Sequence, residues 1–175
     1  MAELRYSKMP SLLGELTVAA SPSGICMIWM GSDYSPPAAR GFDLVEADDE
    51  LLVETRAALD GYLHGRVRSF DLPLDLGLAS AFTRRILKLL VEVPFGELTS
   101  YGALAAAAGT SARAVGGAVG ANPIPIVIPC HRVVAADGTL GGFSGGLERK
   151  RALLAVEGHE SLGGGWAPRR RKVWA

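Results

Sequence analysis

Cysteine is scarce in this chain: Cys26 and Cys130 are the only two in 175 residues, and they lie far apart. A disulfide framework is therefore not expected, and at least one thiol should be free. Histidine is as sparse, with only His64, His131 and His159. Neither a Cys-x-x-Cys nor a His-x-x-x-His spacing occurs, so zinc has no sequence signature and no metal is expected. No apolar run approaches the roughly 20 residues of a membrane span. The opening MAELRYSKMP lacks the basic segment and apolar core of a secretory leader, which points to a cytoplasmic protein with no membrane partner. Neither a P-loop nor a dinucleotide fingerprint is present, so no nucleotide cofactor is implied. What is present, 49% hydrophobic and 21% charged residues, suits a folded chain rather than a disordered one.

Net charge is zero, which taken whole leaves no electrostatic footprint for a nucleic acid. The halves differ. Residues 1–75 carry 6 Lys+Arg against 12 Asp+Glu, and residues 76–175 carry 12 against 6. The sign changes near residues 69–77, read as a strand running into a linker. The chain is accordingly divided into an N-terminal α/β domain (1–76), a C-terminal domain (77–160) and a basic tail (161–175) holding Arg169, Arg170, Arg171 and Lys172. By charge alone the plainer reading is preferable, in which Arg84, Arg85, Lys88, Arg149, Lys150 and Arg151 merely solvate helix faces.

In the first part, residues 14–20 and the apolar run 25–30 flank Ser21-Pro22-Ser23-Gly24 and read as a hairpin, followed by a loop over 32–41. Residues 48–64 have helical periodicity with acids at the start and Gly65 at the end. A small sheet with a helix is the expected plan. Ser80 opens a second helix whose stripe is read as Phe82, Ile86, Leu89, Leu90 and Val93, stopped at Pro94-Phe95-Gly96. Two short helices follow, 101–108 capped by Thr99 or Ser100 and 112–120 capped by Ser111, joined by a glycine-containing turn. That is the plan of a helix-turn-helix in a mostly helical domain.

The second of these helices is odd, because Gly116 and Gly117 each weaken a helix by about 1 kcal/mol relative to Ala. Ala112, Ala114 and Gly116 make a surface that lets another surface come close, and Arg113 is its only long side chain. Major-groove reading needs several long polar side chains. A minor-groove helix with one basic finger fits these residues better. Tight packing of Gly116 and Gly117 against a neighbouring helix fits them equally well.

Residues 124–128, read as a buried strand-like run, deliver Pro129-Cys130-His131-Arg132. A lone cysteine there is either packed core or a nucleophile. The cations His131 and Arg132 favour the nucleophile by lowering the thiol pKa. A bend after Pro129, or a water, would have to connect Cys130 with His131. Residues 141–146 form a glycine-rich loop leading into a helix over 147–157, with Glu157 at its end, where the dipole disfavours an acid. That acid either orients His131 or is simply exposed.

The string Asn122-Pro123-Ile124-Pro125-Ile126-Val127-Ile128-Pro129-Cys130-His131-Arg132-Val133 resembles the active-site motif of O6-alkylguanine-DNA alkyltransferases. The likeness runs over about residues 82–158 and takes in Tyr101, Arg113, Ala114-Val115-Gly116, Ser144-Gly145-Gly146 and Glu157. For the N-terminal portion it extends only to size and a ribonuclease H-like plan of strands then helix. The resemblance implies that Cys130 accepts the alkyl group, that His131 deprotonates it through a water, and that Glu157 holds the imidazole. It implies that Asn122 braces the loop and the turn between the helices, that Arg113 replaces an extruded guanine, and that Tyr101 helps to push the nucleotide out. Backbone carbonyls of Cys130 and Val133 would accept from the base's amine, and the Ser144 amide beside Gly145 would donate to O6. Pro125 and Phe143 would wall the pocket; Phe143 stands where family members often have Tyr, so no role for that hydroxyl carries over. The implied partner is double-stranded DNA containing O6-alkylguanine, bound by a monomer that acts once without a cofactor.

Three other readings use the same residues. A lesion sensor would keep the helix and pocket but lack the nucleophile, and Cys130 argues against it. A helix-turn-helix regulator would read sequence, for which residues 112–119 offer few side chains. A cysteine hydrolase would use Cys130 and His131 with the glycine-rich loop and turn over repeatedly.

Overall fold

The computed structural model describes residues 2–32, 37–162 and 165–167, in two compact units. The basic run Arg169 to Lys172 lies outside the described residues.

The first unit comprises residues up to Leu78 together with Pro123–Pro125. Its sheet has the order β3-β2-β1-β4, with β1 Ala2–Met9, β2 Leu16–Ser21, β3 Gly24–Met30 and β4 Phe42–Glu46. The expected hairpin is β2 and β3, antiparallel with Leu16 opposite Met30. All residues of both strands are buried, which suits a run too apolar for one exposed face. β1 pairs antiparallel with β2 and parallel with β4, making the sheet mixed. Neither β1 nor β4 is legible as period-two alternation: β1 interleaves charged residues irregularly, and β4 is largely exposed. Helix α1, Glu50–Leu63, begins where the Asp49 side chain accepts from the Leu52 amide, and it packs on β1 and β2. The expected strand within 69–77 is reduced to one bridge between Ile25 and Leu74, since Pro73 has no N–H with which to extend a ladder.

The second unit is mostly helical. In α2, Ala81–Val91, the buried face is Thr83, Ile86, Leu87 and Leu90. Phe82 and Leu89 were expected on that face, but Phe82 is exposed and carries the Arg85 guanidinium over its ring at 5.6 Å. A stripe at positions 83, 86, 87 and 90 follows the helical period more closely than one starting at 82. Helices α3, Tyr101–Ala108, and α4, Ala112–Gly120, form the expected helix-turn-helix, with Ser100 and Ser111 as N-caps and Gly109 left-handed at φ 65°. Thr99 is not a cap. With Ser100 it forms β5, which pairs parallel with β6, Val133–Val134. Helix α5, Leu147–Val156, buries Leu153 and Leu154; Leu154 joins Leu98, Val134 and Leu140 in a core cluster. A short pair, β7 Glu160–Leu162 and β8 Gly165–Ala167, follows it.

Candidate active site

Cys130 does not end a strand. Pro123, Pro125 and Pro129 withhold ladder donors across the run, and Ile126 turns to φ 74°, a strained position for a β-branched residue. The isoleucines at 124, 126 and 128 are nevertheless fully buried. Cys130, His131 and Arg132 then make one 3-10 turn. This is the bend after Pro129 that an approach of Cys130 and His131 requires. The Asn122 Nδ2 donates to the Ile128 carbonyl at 2.9 Å, the Cys130 amide donates to the same carbonyl at 2.8 Å, and the Arg132 amide donates to Pro129 at 3.0 Å. The β5–β6 pairing anchors the turn's exit beside the start of α3.

Behind the turn lies a buried ionic cluster. Glu157 Oε1 accepts from His131 Nε2 at 2.8 Å and from Arg132 Nη2 at 2.7 Å, and Oε2 accepts from the Gly96 amide at 3.0 Å. Arg132 also donates from Nε to both oxygens at 3.0 Å and from Nη1 to the Val93 carbonyl at 2.5 Å. Glu157 is therefore buried and paired, not exposed. Burial alone would raise its pKa, but the hydrogen bonds from His131 and Arg132 and the charge of Arg132 outweigh that and hold the carboxyl below the usual range. Burial lowers the His131 pKa against the pull of Glu157, so the imidazole is neutral at rest.

The thiol departs from expectation. Burial pushes Cys130 up to about 11, against lowering by Asn122 and by the charge of Lys150. The two cations next to it in sequence do not depress it: the Arg132 guanidinium is bound to Glu157, and the His131 ring is neutral. Lys150 is the cation that acts. It is fully buried rather than solvating a helix face, and burial brings it down to about 8. Its Nζ donates to the carbonyls of Val133 at 2.6 Å, Gly142 at 3.3 Å, and Leu140. A sequence signal for this exists: Lys150, Leu153, Leu154 and Glu157 fall at i, i+3, i+4 and i+7, one helical face carrying two charges among two leucines.

Cys130 lines a cavity of about 580 Å³. One face of α4 supplies Ala112, Arg113, Gly116, Val119 and Gly120, and Tyr101, Gly142, Phe143 and Ser144 complete the lining. The structure thus gathers Tyr101, Ala112, Arg113, Gly116, Phe143 and Ser144 about the thiol, and adds Val119, Gly120 and Gly142, which sequence reasoning did not single out. Ala114, Pro125, Val133 and Gly145 are not in the lining, and Pro125 groups with the first unit. Tyr101 donates its hydroxyl to the Gly142 carbonyl at 3.4 Å. A Cβ at Gly141, whose φ is +68°, would lie 2.9 Å from that tyrosine ring, so only glycine suits the loop there.

Residues 81–159 match the profile of the 6-O-methylguanine DNA methyltransferase DNA binding domain, and residues 4–76 match that of the same family's ribonuclease-like domain. The chain belongs to the O6-methylguanine DNA methyltransferase family. Among its relatives, the methylated-DNA–protein-cysteine methyltransferase of Mycolicibacterium paratuberculosis is 38% identical over 160 residues, covering 90% of this chain and 94% of the relative. The Homo sapiens protein of the same name is 40% identical, covering 90% and 82%. A solved structure of Mycobacterium tuberculosis OGT in complex with DNA is similar with a TM-score of 0.79 at 38% identity, over 88% of this chain and 93% of that one. The mixed sheet with a helix in one unit and the helical second unit are thus the architecture of this methyltransferase family.

Proposed function

We propose that this protein reverses alkylation damage directly, moving an alkyl group from O6 of guanine in duplex DNA to its own Cys130, once per molecule. The observation that carries this reading is the shared cavity: the Cys130 thiol and one face of the helix-turn-helix's second helix line the same space. A base lifted out of its stack beside that helix would reach the sulfur. The family membership and the likeness to OGT bound to DNA support the same partner.

The chemistry follows from the groups present. The resting thiol is protonated, so transfer begins with removal of its proton. With Nε2–H given to Glu157, the other imidazole nitrogen of His131 is the basic one and takes the proton through a water. The sulfur–carbon bond forms as the carbon–O6 bond breaks, and the departing guanine takes up a proton. The Ser144 amide stabilises O6, and the Cys130 and Val133 carbonyls hold the exocyclic amine. Asn122 keeps the turn in place, Tyr101 displaces the nucleotide, and Arg113 fills the gap left in the duplex, with Ala112, Ala114 and Gly116 allowing close approach. Pro125, Phe143 and Gly145 belong to the base's surroundings in this reading. The product thioether has no carbonyl for water to attack, so the protein is consumed. It acts as a monomer in the cytoplasm, a setting that suits its two free cysteines.

The test is intact mass and guanine restored per protein on incubation with excess duplex DNA containing O6-methylguanine. One methyl on Cys130, transfer stopping near one equivalent and none with Cys130→Ser are expected. Tight lesion binding without transfer would identify a sensor, and repeated product release a hydrolase.

A further inference from the structure

Among the described residues, Ile126 is the only one other than glycine with a positive φ. At 74° its backbone lies in the left-handed region, where a β-branched side chain crowds the chain. Residues 126 and 127 form a turn, and turns whose first central residue has a positive φ ordinarily carry glycine, asparagine or aspartate there. Glycine would meet this backbone without steric cost. The chain instead holds a fully buried isoleucine.

Such a conformation persists only where the surroundings determine it from several sides. On the N-terminal side the Pro123 carbonyl accepts from the Ile28 amide at 2.9 Å, and the ring of Pro125 fixes its own φ. On the C-terminal side the Ile128 carbonyl accepts from the Asn122 side chain at 2.9 Å and from the Cys130 amide at 2.8 Å, while Pro129 disfavours helical angles at Ile128. The turn pinned in this way leads directly into the carbonyl on which the Cys130 turn is built. A change in the angles of Ile126 would swing that carbonyl, and the thiol with it.

We infer that Ile126 is a positioning residue for the transfer: its buried, branched side chain locks the turn at 126–127 in the left-handed conformation that sets the Ile128 carbonyl, and through it the Cys130 thiol, at the cavity. The inference rests on the alkyl transfer proposed above. It gives the strain a reason. Glycine would relieve the backbone but free the turn to take other angles, and a reacting atom displaced by about 1 Å loses up to about a hundredfold in rate.

The experiment compares the unaltered protein with Ile126→Ala, Ile126→Gly and Ile126→Val, reading thermal unfolding, the single-turnover transfer rate at saturating O6-methylguanine duplex, and the dissociation constant for that duplex. Alanine and glycine remove nearly the same buried side chain, so the difference between those two variants isolates the backbone. Ile126→Gly is expected to melt about 2–4 °C above Ile126→Ala, because glycine escapes the strain. It is expected nevertheless to transfer about three- to tenfold more slowly than Ile126→Ala. Stability and rate then move in opposite directions, which a loss of packing does not produce. Ile126→Val keeps the branch at Cβ and should transfer at close to the unaltered rate, and the dissociation constants should change little across the set. Should the two small variants fail to fold, Ile126→Leu, which keeps the volume without the branch, should transfer more slowly than Ile126→Val. A glycine variant that melts below the alanine variant or transfers as fast, or in their place a leucine variant as fast as the valine one, overturns the role of Ile126. No transfer by the unaltered protein overturns the reading of the site, and this inference with it.

Discussion

Glu157 occupies the C-cap of α5, where a helix dipole disfavours an acid, and its oxygens take hydrogen bonds from His131, Arg132 and the Gly96 amide. Removing its charge leaves Arg132 buried without its anion, a loss expected to cost about 3–5 kcal/mol in urea unfolding of Glu157→Gln at neutral pH. The acid limb has a definite sign. The folded carboxyl lies below its unfolded value of 4.5, so its stabilisation is complete above that value and is lost as pH falls through the folded one. Between about pH 5 and about pH 3 the unaltered protein should therefore lose stability more steeply than Glu157→Gln. Equal slopes would mean that the pairing with His131 and Arg132 contributes nothing. Activity should fall as well, since the one acceptor oxygen of a glutamine must be shared among the His131, Arg132 and Gly96 donors that two carboxylate oxygens now serve, which loosens the orientation of the imidazole.

The glycines of α4 admitted two explanations in the sequence, and the structure separates them at the scale of the helix. A Cβ built on Gly116 or Gly117 meets nothing within 4 Å, so neither glycine is there to admit a neighbouring helix. Gly116→Ala should accordingly stabilise the protein by about 0.5–1 kcal/mol in thermal or denaturant unfolding, because alanine removes the entropic penalty of a helical glycine. The same change narrows the cavity that Gly116 lines and should weaken lesion-duplex binding. Destabilisation, or unaltered binding, would refute the assignment of this face to a close-approaching ligand. What was legible in the sequence is what local chemistry decides: the caps Ser80 and Ser111, a cap at Thr99 or Ser100 that the structure gives to Ser100, the turn at Gly109, and the β2–β3 hairpin. Strand β1 was not legible, because its place depends on pairing with β4, far along the chain. Residues 124–128 misread as a strand because alternating isoleucines mimic one, while Pro125 within the run and Pro123 and Pro129 on either side of it forbid the ladder. Within the site, the motif around Cys130 showed which residues meet, but not that burial would raise its thiol or that Lys150 would turn inward among leucines.

For the molecule as a whole, a net charge of zero means that affinity for DNA must come from the distribution of charge, and burial has already removed part of it. Of the basic residues in the second half, Arg132 and Lys150 are buried. Arg84, Arg85, Lys88, Arg113 and Arg151 are exposed, and Arg149 is half-buried. Each phosphate neutralised contributes about 0.9 to the slope of log binding constant against log salt concentration. If all six of these side chains met phosphates, the slope could be no steeper than about −5, and less steep if Arg113 enters the duplex instead. A chain truncated before Arg169 should keep within that limit on a lesion-free duplex. A slope steeper than this in the truncated chain would mean that cations of the acidic first half also reach the backbone. Comparison with the full chain then measures the tail: each of Arg169, Arg170, Arg171 and Lys172 that meets a phosphate steepens the slope by about 0.9, and coincident slopes exclude the tail from binding.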